Sequence, residues 1–179
     1  MKPEGILHFW FNEIEPQQQF ENDPEFDQLI RDRFLATHKK VSAGETKDWR
    51  STPGGRLAEI IVLDQFSRNM FRNTSEAFAS DTMALTLAKE AVARADDVRW
   101  PAPQRSFFYM PFMHSENKVD HEIALKLFSQ PSLENGLKFE IAHKIIIDRF
   151  GRYPHRNKAL GRESNAAEIE FLKGKLSSF

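Results

Sequence analysis

Three stretches of the chain concentrate the side chains that acid–base chemistry and anion recognition require. The first runs Leu63-Asp64-Gln65-Phe66-Ser67-Arg68-Asn69-Met70-Phe71-Arg72. On a helix Asp64, Arg68 and Arg72 recur every four residues and share one stripe, with Gln65 and Asn69 on the stripe beside it. An acid four residues before a base also makes an ordinary surface ion pair, worth only about a few tenths of a kcal/mol. Two amides set among phenylalanines point the other way, because a buried amide has to be hydrogen-bonded. The second stretch, Arg105 to Glu116, offers a fixed cation in Arg105, a phenol in Tyr109, an imidazole in His114 and a carboxylate in Glu116. These groups suit acid–base work, and they serve equally well as helix caps and core edges. The third is the densest basic segment: Arg149, Arg152, Arg156 and Arg162 with His155 and Asn157, in a loop punctuated by Gly151, Pro154 and Gly161. Guanidinium forks match carboxylate and phosphate, so an anionic small molecule is its functional reading and a solvated basic loop its plain one.

If the three stretches meet, His114 or His155 becomes the general acid or base, oriented by Glu116 or Asp64. Gln65, Arg68, Asn69, Arg72, Arg105, Tyr109, Arg149, Arg156, Asn157 and Arg162 would then surround the ligand together with Asp64. The rival reading is a helical scaffold that binds a protein or peptide, its polar clusters serving as internal networks that set helix register.

Other chemistries find no support. The chain has no cysteine, which removes disulfides, thiolate metal sites and cysteine nucleophiles together. His121-Glu122 is followed by Leu125 where a zinc-protease helix needs histidine, and His114-Ser115-Glu116 lacks the paired cysteines of zinc deaminases. A mixed site from His114, His121, His143 and His155 with Asp81 or Glu116 has no diagnostic spacing, so no metal is expected. Glycine-rich phosphate loops and serine elbows are missing too, and no cofactor is expected. With 25 basic and 26 acidic residues intermixed there is no global field to hold nucleic acid, which ranks last among the partners. Met1 to Trp10 lacks a charged region followed by a long apolar run, so no signal peptide is expected there, and no apolar run reaches the ~18 residues of a membrane span. A cytoplasmic address is therefore expected, with no membrane association.

Helices have to position these groups. The 179 residues are the length of one domain, and sixteen phenylalanines predict an aromatic core. Ile6 to Phe11 reads as a short docking helix. Asp23-Pro24 and Thr52-Pro53 are a cap residue followed by proline at the first helical position. They predict helices over about 24–43, stopped near Gly44, and from 53 through a wide apolar face to Met70. A helix rich in small residues should run from Ser80 to near Asp96. Pro101, Pro103 and Pro111 then confine the aromatic segment at 107–109 to one or two turns. Ser115 is placed to cap a helix over 116–128, a further one runs 133–150 to Gly151, an ordered loop covers 152–161, and Asn165 with Glu168 opens the last. Strand-like alternation is almost absent, so the reading is a single all-α domain spanning 1–179.

The polar stretches, together with His8-Phe9-Trp10-Phe11, Pro53-Gly54-Gly55 and Ala77-Phe78-Ala79-Ser80-Asp81, resemble a bacterial family, domain of unknown function 924, over essentially the whole chain. The resemblance implies an antiparallel helix array like the right-handed superhelix of tetratricopeptide repeats, and no established activity, substrate or cofactor. Asp64, Gln65, Arg68, Asn69, Asp81, Arg105, His114, Ser115, Glu116, Arg149, His155, Arg156 and Asn157 match the family's pattern. Ser67, where relatives commonly have proline, and Tyr153, where phenylalanine is usual, depart from it without removing a candidate group.

Overall fold

A computed structural model describes residues 1–174, and among them every regular element is helical. Helix α1 (Pro3–His8) runs on into a π-helical turn over Phe9–Glu13. Its aromatic side chains dock as expected: Phe9 and Trp10 are buried and meet Phe26, Phe34 and Phe66, with Phe9 and Phe34 ring centroids 4.7 Å apart. Helix α2 (Pro24–Ser42) begins where Asp23 accepts a hydrogen bond from the Glu25 N–H, and its chain turns away at Gly44.

Helix α3 (Pro53–Ile61) starts at Thr52, whose hydroxyl accepts from the Gly55 N–H at 3.0 Å. The run predicted as one helix to Met70 is interrupted. Val62–Phe66 widens into a π-helical turn before α4 (Ser67–Met70). Such widened turns recur at functional sites, and this one carries Asp64 and Gln65. Two buried ion pairs anchor α3: Glu59, fully buried, with Arg50 at 2.7 Å, and Arg56 with Asp96 at 2.6 Å.

Helix α5 (Asp81–Ala93) packs small residues Ala84, Ala88 and Ala91 into the core, so α3 and α6 approach it closely. Helix α6 (Ala102–Met113) corrects the expectation of one or two turns, since it continues for twelve residues through Pro111. Pro111 costs an intrahelical hydrogen bond, about 3 kcal/mol in a helix interior. Burial of Phe107, Phe108, Tyr109, Phe112 and Met113 around it offsets that, each aromatic contributing on the order of 2 kcal/mol. Helix α7 (Lys118–Phe128) is capped by Asn117 and not by Ser115, whose hydroxyl instead accepts from the Asn117 N–H and donates to Asp120 at 2.7 Å. Helix α8 (Glu134–Phe150) ends at Gly151 in the left-handed conformation, φ 69°. A 3-10 turn at Pro154–Arg156 orders the following loop, and α9 (Ala166–Leu172) opens on the predicted capping box of Asn165 and Glu168. Consecutive helices α5 to α8 pack side by side, as members of a helix array do. Among the described residues, no helix is long and apolar enough to cross a membrane.

Candidate functional site

The first two polar stretches meet at Asp64, and Arg156 joins them from the third through Asp81 and the His114 carbonyl. Asp64 is 1% exposed, carried on the π-helical turn. It accepts from His114 Nδ1 at 2.8 and 3.0 Å and from Gln65 Nε2 at 2.5 Å, and pairs with Arg68 Nη1 at 3.0 Å. Arg68 also forks onto Asp81, the first residue of α5, at 3.0 and 3.1 Å. Arg156, from the 3-10 turn, reaches the same Asp81 at 3.2 Å and donates to the His114 carbonyl at 3.0 Å. Its guanidinium lies 4.6 Å from the ring centroids of both Phe78 and Tyr153, so cation–π contacts hold it in place. Helix α6 ends at His114, and Pro111 one turn earlier shapes that end.

Gln65, Arg68, His114 and Arg156 face a cleft of about 790 Å³. Its polar lining includes Gln65, Arg68, Asn69, Arg72, His114, His143, His155 and Arg156; its apolar lining includes Phe20, Phe107, Met110, Phe128, Leu133 and Phe139. A smaller hollow of about 240 Å³, touched by Asp81, Ser115 and Glu116, shares Phe78, His114 and Arg156 with the cleft, so those three residues stand between them.

Burial is the largest influence on the electrostatics of the site. Asp64 is held well below the usual carboxylate range: burial opposes its charge, and Arg68, His114 and Gln65 outweigh that penalty. Burial, with Arg68 and Arg156 adding to it, lowers the His114 pKa against the pull of Asp64. Burial likewise takes His143 down to about 3 and His155 down to about 4. All three imidazoles are therefore neutral at pH 7. His114 donates from Nδ1 to Asp64, which leaves Nε2 as the basic nitrogen. That Nε2 has no hydrogen-bond partner among the described residues and is not sealed from solvent. A base oriented by a buried carboxylate is the arrangement that proton transfer needs.

Replacing Asp64 with asparagine tests the electrostatics. The His114 pKa should fall further, because Asp64 is the group that holds it up, and the protein should lose about 3 kcal/mol or more as Arg68 and His114 lose their buried partner. Titration of the His114 ring by NMR checks the sign, and a rise in its pKa would contradict the assignment.

Of the candidates read from the sequence, Gln65, Arg68, Asn69, Arg72, His114, His155 and Arg156 line the cleft, and Asp64 lies directly behind it. The others lie elsewhere. Tyr109 is fully buried, donating to Asp97 at 2.5 Å and accepting from Gln130. Arg105 donates to the Pro131 carbonyl at 3.4 Å, and Arg149 lies over Phe150. Glu116 is clamped by Arg162 at 2.7 and 2.9 Å and accepts from the Tyr153 N–H, so it does not orient His114. Asn157, 1% exposed, joins Ser164, Glu168 and Arg162, while Arg152 forks onto Glu168. The basic loop is thus largely neutralised from within. His143, weighed in the sequence only as a metal ligand, also lines the cleft, and two aspartates anchor its arginines: Asp81, shared by Arg68 and Arg156, and Asp27, passed over in the sequence, which binds Arg72 at 2.6 and 2.8 Å and Asn69 at 2.8 Å. Asp27 sits more than forty residues before its partners, and nothing local marks it.

An all-helical domain folded around a buried Asp–His–Arg network at the base of one cleft is the class these features define. The chain belongs to the bacterial family of unknown function called domain of unknown function 924, whose model matches residues 6–175. It is similar to a solved protein of unknown function from Agrobacterium tumefaciens, with 34% identity over 96% of this chain and 97% of that one and a TM-score of 0.89. No curated protein matches.

Proposed function

We propose that the cleft binds a small amphipathic molecule with a single anionic head, and that His114 acts on it, or on a water beside it, as a general base. The Asp64–His114 pair carries this reading, with its second imidazole nitrogen unpartnered among the described residues and not sealed from solvent. The mixed lining supports an amphipathic ligand, since clefts that bury small molecules combine apolar walls with a few placed polar groups. A single negative charge fits better than a polyphosphate because each cleft arginine already faces a carboxylate: Arg68 and Arg156 share Asp81, Arg68 also meets Asp64, and Arg72 has Asp27. Each of the three retains N–H groups beyond those bonded to carboxylate, enough for one head group.

A thermal-shift screen with alkanoic acids of graded chain length tests the reading. A ligand at a hundred times its dissociation constant stabilises by about 2.7 kcal/mol, which such a screen resolves. The His114→Gln variant should keep the shift and lose any turnover of a matching ester or amide, because glutamine retains shape without a titratable nitrogen. The expected loss is at least ~100-fold, the usual contribution of a positioned base. If no acid shifts the melting temperature, or if the shift survives in Arg68→Met and Arg156→Met, the anionic reading is wrong.

A further inference from the structure

Two carboxamides on the cleft are turned the same way for the same reason. Gln65 is 7% exposed and Asn69 8%, one helical turn apart. Gln65 Nε2 donates to Asp64 at 2.5 Å, and Asn69 Nδ2 donates to Asp27 at 2.8 Å. An ionised carboxylate only accepts, so each amide must present its NH₂ to the carboxylate behind it. The carbonyl oxygen of each then points away from that anchor. Neither oxygen has a hydrogen-bond partner among the described residues, neither is sealed from solvent, and both residues line the cleft. Two residues more than nine-tenths buried thus offer the cleft a pair of hydrogen-bond acceptors, four positions apart in the chain.

We infer that this pair is a subsite for a neutral hydrogen-bond donor, so that the ligand of the proposed site is a hydroxylated amphipathic acid. The inference rests on the proposed function for the anionic head and on the two amides for the hydroxyl. Arg68 and Arg72 already pair with Asp81 and Asp27, so neither aspartate is left unmatched for a ligand ammonium. A hydroxyl needs no such partner. Any ligand that displaces solvent from the two oxygens must return a donor to them or lose affinity. The position is tied to the reactive group as well: the carboxylate that orients Gln65 also orients His114. A hydroxyl bound at Gln65 therefore lies on the part of the ligand nearest the base.

The experiment compares three probes of one chain length by isothermal titration: an alkanoic acid, its 3-hydroxy counterpart, and an uncharged terminal diol. The hydroxy acid should bind about tenfold or more tightly than the plain acid, since a site built to bond a hydroxyl discriminates against its absence. That advantage should shrink in both Gln65→Met and Asn69→Leu, and affinity for the plain acid should be retained in Asn69→Leu, which leaves the bonds of Asp64 untouched. Asp27 keeps its two bonds to Arg72 when Asn69 is replaced, so at least that variant should fold, which an unchanged melting temperature without ligand confirms. Equal binding of the two acids overturns the hydroxyl subsite and leaves the anionic reading standing. Binding of the diol but of neither acid overturns the anionic reading and supports the subsite. If no probe binds, both fall.

Discussion

Gly55→Ala should destabilise the protein by at least about 3 kcal/mol, whereas Gly54→Ala next to it should change stability by less than about 1 kcal/mol. A Cβ on Gly55 would lie 1.8 Å from the Trp49 carbonyl oxygen, 2.6 Å from its carbon and 3.0 Å from its Cα. All three are backbone atoms, so no side-chain rotation relieves the overlap. The chain must shift either the turn at Lys47–Ser51 or the start of α3, and that start is tied by the Gly55 N–H to Thr52 and by Glu59 to Arg50. A Cβ on Gly54 meets only Leu7 at 3.4 Å and the Trp100 ring at 3.6 Å, contacts that side chains can accommodate. Urea denaturation of the two variants tests the contrast. Equal losses would show that the close approach at Gly55 is not what the glycine is for.

Lowering the pH from 7 to 5 should cost about 4 kcal/mol from His143 and His155 together. Both are held neutral in the fold by burial, at about 3 and about 4, while in the unfolded chain each titrates near 6.5. Between those values the unfolded state binds more protons, so stability rises with pH and is lost as pH falls below about 6.5. His114 and His38, also lowered by burial, act in the same direction. Glu140 acts in the opposite one: burial raises its pKa, so its contribution declines as pH rises through that value and offsets part of the slope. The depressed carboxyls of Asp64 and Glu168, the latter at about 2, contribute fully above about pH 4 and are lost only below it. Urea midpoints measured across this range provide the check. A flat profile between pH 7 and 5 would mean that the imidazoles are not buried as described.

The fold was legible wherever a helix end is written locally. Asp23-Pro24, Thr52-Pro53, Gly151 and the Asn165–Glu168 box each act within a few residues, and each marks a real boundary. Where tertiary burial outweighs local preference, the reading went astray. Pro111 argues for a short segment, yet the packing of Phe107, Phe108 and Phe112 carries α6 past it, and nothing in the spacing of residues 62–66 announces a π turn.

The site shows the same division. The stripe of Asp64 and Arg68 is a local periodic feature and lies at its centre. The arginines from 149 to 162 look like an anion site in sequence because their partners are remote. Arg162 meets Glu116 forty-six residues away, and Arg152 meets Glu168 sixteen away. A string of charges does not reveal how many are already matched.

That matching bears on how a ligand arrives. Arg68, Arg72 and Arg156 each stand against an aspartate, so the wall of the cleft projects little net field beyond itself. Encounter should then proceed at an unsteered rate, indifferent to ionic strength. Discrimination among ligands would be expressed in how long they stay, set by the amide oxygens, the residual guanidinium protons and His114 once solvent has been displaced.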